Sequence, residues 1–151
     1  MRNYQAFPNI VGDDSEDTAK LRELAGVARE YIQSFHWCPP IDSMYLGFGV
    51  GGIAAVFLFK FAQKISEIDD SLWVVVGDLP SAYLVVEEDD DPAQALERYC
   101  DIMDDWVSAV RGSGDLADVY PIPVEATVEH ADMLCSRIGF LRTELVPLAK
   151  S

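Results

Sequence analysis

Three sets of side chains in this chain have the types and spacing that chemistry uses. The first is acidic: Glu87, Glu88, Asp89, Asp90 and Asp91 are consecutive, and Glu97, Asp101, Asp104 and Asp105 follow at intervals that place them on one face of a helix. Carboxylates that close together raise one another's proton affinity, hold a divalent cation, or present a surface to a basic protein. The second is Gly47-Phe48-Gly49-Val50-Gly51-Gly52, in which Gly47, Gly49 and Gly52 fit the dinucleotide fingerprint G-x-G-x-x-G. In that reading Asp78, at the end of the second strand, is the ribose ligand. The third set is His36, Cys38, Cys100, His130 and Cys135, which has metal-ligand types without a C-x-x-C or H-x-x-x-H spacing.

Each set also has a plainer reading. An acidic stripe is commonly the solvated side of an amphipathic helix. The glycines fit a hairpin turn as well as a fingerprint, because Ile53–Ala62 alternates with period two and is rich in β-branched and aromatic residues. Trp37-Cys38-Pro39-Pro40-Ile41 resembles the W-C-x-P-C active site of thioredoxin-like oxidoreductases, but Ile41 stands where the resolving cysteine belongs. Cys100 and Cys135 fall at or beside apolar helical faces, where free cysteine acts as a small hydrophobe. No G-x-S-x-G elbow and no P-loop occurs. The expectation is a chain with no catalytic residue, no metal and no cofactor, the glycine segment being its one candidate for close approach by a ligand.

Charge narrows the partners. The chain has 151 residues, 11 Lys and Arg against 26 Asp and Glu, and a formal charge of −15, which disfavours nucleic acid and anionic membrane. The excess is regional: residues 67–132 hold 18 acids and only Arg98 and Arg111, residues 1–66 are nearly neutral, and residues 133–151 are slightly basic. Half the residues are hydrophobic, which excludes global disorder. Three widely spaced cysteines and a mixed Met1–Ile10 predict a reducing, cytoplasmic setting. Ser43–Phe59 lacks charge, but it is short for a membrane span and carries four glycines.

These side chains need elements to carry them. The length predicts one domain, 1–151, with 1–12 an irregular lead. Asp13–Ser15 offer helix caps, and Leu21, Leu24, Ala28, Tyr31, Ile32 and Phe35 form one face of a helix over about 15–36, stopped by Pro39-Pro40. Met44–Val50 and Ile53–Ala62 form a hairpin about Gly51-Gly52. Beyond the polar stretch Ser66–Ser71, Leu72–Val76 and Ala82–Glu87 form a second hairpin about Gly77-Asp78-Leu79-Pro80. Asp91, Pro92 and Gln94 then supply an N-cap, a first-position proline and a capping-box partner for a second helix, which Gly112 and Gly114 end. After the connector Asp115–Ala126, Thr127 caps a last helix whose Leu134, Ile138, Leu141, Leu145 and Leu148 repeat at four and three, with fraying predicted at Pro147. The fold class is α+β: a four-stranded antiparallel meander of two hairpins, one face covered by one N-terminal and two C-terminal helices.

Trp37–Asp42, Tyr45–Gly52 and Leu72–Val86 resemble a family of small bacterial proteins of unassigned function. That resemblance implies a small bacterial cytosolic α+β domain and carries over no functional residue. The acidic single-domain character is similar, in composition, to immunity proteins that neutralise basic nuclease toxins. The leading expectation is therefore a non-catalytic interaction protein whose Glu87–Asp105 region docks a basic protein surface. The alternatives are a small enzyme or ligand-binding domain using Gly47–Gly52, and a homo-oligomeric subunit joined through the exposed sheet face or the Leu134–Leu148 helix.

Overall fold

Strand pairing organises the first part of the chain, and the reason is visible in a continuous β-branched and aromatic run. The structure, a computed structural model, describes residues 4–65, 70–112 and 116–150. Most of the polar stretch Ser66–Ser71 and the helix stop at Gly114 lie outside the described residues. Two compact units divide the chain, Met1–Ala95 and Leu96–Ser151.

The first unit is a five-stranded antiparallel sheet in sequence order: β1 (Gln5–Ala6), β2 (Ile41–Val50), β3 (Ala54–Phe61), β4 (Ser71–Gly77) and β5 (Leu79–Val85). The α+β class and both predicted hairpins are present, with a fifth strand in the segment expected to be an irregular lead. Gln5 and Ala6 pair with Leu46 and Tyr45. Two residues carry no readable period, so pattern alone could not show this strand. Its order comes from the Gln5 side chain, which accepts from the Val11 N–H at 2.8 Å and donates to the Val11 carbonyl at 2.9 Å.

The helix α1 (Ser15–Gln33) starts where expected. Asp14 accepts the Asp17 N–H at 2.8 Å, and Glu16 and Asp17 occupy the first turn, where the helix dipole favours negative charge. Its buried Leu21, Ala25, Ala28 and Ile32 pack with Met44, Leu46, Phe57, Phe59, Leu72 and Val74 on one face of the sheet. The expectation of a single covered face is corrected by the other set of side chains. Ala54, Val56, Leu58, Trp73, Val75, Ala82 and Leu84 alternate with the first set and are buried too. A β3 strand that reads Ala-Ala-Val-Phe-Leu-Phe is apolar on both sides, the pattern of a strand with no wet face.

The helix α2 (Pro92–Arg111) begins with the predicted capping box. Gln94 N–H donates to Asp91 Oδ1 at 2.8 Å, and Asp91 N–H donates to Gln94 Oε1 at 3.1 Å. In the second unit, a 3-10 turn at Leu116–Asp118 interrupts the predicted extended connector. The helix α3 (Val128–Phe140) is capped by Thr127, whose hydroxyl accepts from the His130 N–H at 3.2 Å. It passes through a π-helical turn at Leu141–Leu145 into α4 (Val146–Lys150), which holds Pro147.

Candidate functional site

The glycine-rich segment sits at one end of the sheet. Val50 pairs with Ala54 and the Ile53 N–H returns to the Val50 carbonyl at 3.0 Å, so the loop has three residues rather than the predicted two. Gly52, at φ 81°, takes the positive dihedral that the third position of a type II turn requires. Gly47 is the extra residue of a β-bulge between Leu46 and Phe48. Asp78 lies beside the turn, its N–H donating to the Ile53 carbonyl at 2.9 Å. The structure thus brings Gly47, Gly49, Gly52 and Asp78 to one sheet end.

The setting that a dinucleotide fingerprint needs is not formed there. A strand, β3, follows the glycines where a helix N-terminus must receive the pyrophosphate. The glycines answer to packing. A Cβ on Gly47 would lie 2.8 Å from Pro92 Cγ, and one on Gly49 would lie 2.7 Å from Leu21 Cδ2. One on Gly51 would lie 2.6 Å from Asp17 Oδ1.

Asp17 is the organising residue of this end, and sequence spacing did not single it out. Its Oδ1 accepts the Gly51 N–H at 2.7 Å, and its Oδ2 accepts the Asp13 N–H at 2.9 Å. One carboxylate therefore ties the hairpin turn to the start of α1. Beside it a cavity of about 230 Å³ is lined by Gln5, Val11–Asp13, Asp17, Leu21 and Leu46–Val50. Its charged groups are carboxylates, which repel a phosphate.

The acidic residues divide into four groups. Asp90 and Asp91 have structural work: Asp90 Oδ2 accepts the Trp73 indole N–H at 2.9 Å and the Glu87 N–H at 3.1 Å, and Asp91 caps α2. Glu87, Glu88 and Asp89 lie on the loop so fixed, with Glu88 and Asp89 exposed and Asp89 at φ 58° in the left-handed region. Glu97, Asp101 and Asp104 meet cations. Lys150 lies 3.2 Å from Glu97, and Arg142 donates to Asp101 Oδ1 at 2.8 Å and to Asp104 Oδ2 through its other terminal nitrogen. The Asp104 hydrogen bond raises the Arg142 pKa above its ordinary value. Asp105, exposed, has no ion pair among the described residues.

The acidic stripe on α2 is thus also a charge seam within the second unit, its exposed carboxylates meeting Arg142, 38 and 41 positions away in sequence. Trp73, Arg142 and Lys150 were missed. A signal for the last two existed in the excess of basic residues over 133–151, directly after the most acidic region.

Neither Cys38 nor Cys100 is an activated thiol. Burial raises the Cys38 pKa, and burial first, with neighbouring carboxylates, pushes Cys100 up to about 12. Cys38 donates to the Pro39 carbonyl at 3.3 Å, and Cys135 accepts from Arg111 at 3.6 Å. Among the described residues no group of three or more His, Cys, Asp or Glu is placed to hold a metal ion, and no helix is long and apolar enough to cross a membrane. Ser43–Phe59, the uncharged stretch, forms the β2–β3 hairpin. Of the two surfaces expected for self-association, the β3 and β4 side chains are buried toward both faces of the sheet, while the last helices bury Leu134, Ile138, Leu141 and Leu145 and leave Leu148 exposed. Compared with known proteins, the chain matches no family model, no curated protein and no solved structure.

Proposed function

We propose that this chain is a non-catalytic acidic interaction protein that binds a basic protein surface, an immunity or antitoxin role being the sharpest form of that reading. The observation that carries it is the anchored loop Glu87–Asp91. Trp73, 1% exposed, holds Asp90 from beneath, and the Asp91–Gln94 capping box holds the far end. Glu88 and Asp89 are thereby presented to solvent on a backbone with little freedom left to lose. Charges fixed before contact bind with less ordering cost than charges on a flexible tail. Glu97, Asp101, Asp104 and Asp105 on α2 extend the binding region; the first three also pair with Lys150 and Arg142, with Asp101 73% and Glu97 48% exposed.

The mechanism is electrostatic steering followed by occlusion of the partner's basic surface. Proteins captured on the immobilised chain from its source cells supply the partner, and its association rate is then measured with purified components. Replacing Glu88 and Asp89 with lysine should slow association by about tenfold or more at low ionic strength and by much less at high salt. An association rate indifferent to both salt and this double substitution would overturn the proposal.

A further inference from the structure

The last helix does not keep the phase its sequence lays down. Leu134, Ile138, Leu141, Leu145 and Leu148 repeat at four and three, so an uninterrupted α-helix buries all five on one face. The first four are buried, but Leu148 is 56% exposed and Val146 is 3% exposed in its stead. The slip occurs within Leu141–Leu145, where the Val146 N–H bonds to the Leu141 carbonyl, five residues back. A π turn holds more residues than an α turn and rotates everything after it.

Pro147 supplies the cause. In an α register it has no N–H for the Thr143 carbonyl, and its ring collides with that carbonyl. Widening the turn relieves the collision. Thr143 Oγ1 meanwhile donates to the Gly139 carbonyl at 2.9 Å, which further loosens this turn from α geometry. The rotation has an outward effect: Leu148 joins Phe140 (45% exposed) and Met133 (52% exposed) as an apolar residue displayed to solvent.

We infer that this π turn is a register switch: Pro147 selects the register that buries Val146 and displays Leu148, and the same side chains support an α register with the two exchanged. Both registers bury one aliphatic side chain at the end of the helix, so the proline decides between them.

Val146→Cys and Leu148→Cys are made separately in the full chain, with Pro147 kept or replaced, and iodoacetamide labelling is followed by peptide mass mapping. With Pro147 present, the thiol of the Leu148→Cys variant should label about tenfold or more faster than that of the Val146→Cys variant, because a buried thiol reacts only through local opening. With Pro147→Ala, the order should reverse. Pro147→Glu serves as a second variant at the same exposed position. Equal, fast labelling of both introduced thiols with Pro147 present would show a frayed end and overturn the inference. An unchanged order in the folded proline variants would overturn it as well.

Discussion

Removing the Asp90 carboxylate tests whether the acidic loop is held from below. Trp73 is 1% exposed, and its indole N–H donates to Asp90 Oδ2 at 2.9 Å. In Asp90→Ala that buried donor loses an ionised acceptor, which costs ~2–3 kcal/mol, while the exposed Glu87 N–H finds water at little cost. Asp90→Asn keeps an oxygen of the same reach and loses only the charge, so ~1 kcal/mol is expected. Urea unfolding reads the difference: with a slope of ~2 kcal/mol per molar, the alanine variant should move its midpoint down by ~1 M and the asparagine variant by about half that. A double-mutant cycle with Trp73→Phe should recover most of the alanine cost as coupling. If Asp90→Ala lies within ~0.5 kcal/mol of the parent, the anchor is not an anchor, and the rigidity argument for Glu88 and Asp89 fails with it. The variant also separates charge from order. It leaves Glu88 and Asp89 in place, so weaker binding to a basic partner would report the loss of a fixed loop.

Gly77→Ala should be severe, since its Cβ would lie 2.2 Å from the Ile53 carbonyl oxygen at a φ of 152°; we expect more than ~3 kcal/mol by denaturant titration. Gly26→Ala is its control, because nothing lies within 4 Å of the added carbon inside α1, and a gain of ~0.5–1 kcal/mol is expected. Cys100 predicts alkaline instability. The unfolded thiol releases its proton above the ordinary 9.0, while the folded one holds it to about 12, so the folded state binds more protons and stability falls as pH rises. The fall between pH 9 and 10 should reach at most ~1 kcal/mol, reduced by whatever share solvent screens, and should shrink in Cys100→Ala; an identical pH profile for the two proteins would contradict it.

How much was legible depended on how far each determinant lay from its effect. The Asp91–Gln94 capping box and the Asp14 cap are local, and they stand where the residues imply. The hairpins follow from period two and glycine turns, although two glycines in a row did not make a two-residue loop, since only Gly52 takes a positive φ. Burial of both sheet faces was written in Ala54–Phe59, where alternation in residue size drew attention from the absence of alternation in polarity. Pairing of Asp101 and Asp104 with Arg142 was not legible, because no local spacing relates side chains about 40 positions apart. Leu148 misled for a different reason. The repeat was real, and a single proline changed the number of residues in the turn before it reached the end.

The Asp17 carboxylate that joins the hairpin turn to the first helix also restricts how this sequence can change. A Cβ at position 12 would lie 2.0 Å from Asp17 Oδ2, and one at position 51 would lie 2.6 Å from Asp17 Oδ1. The two positions differ in what limits them. At 51 the added carbon would also meet the Asp17 carbonyl oxygen and Lys20 Cβ, each at 2.9 Å, so glycine is required there whatever side chain stands at 17. At 12 the closest atoms belong to the Asp17 carboxylate, so positions 12 and 17 should change in concert in related sequences, and a substitution at 12 that fails alone should become more tolerable with a shorter residue at 17.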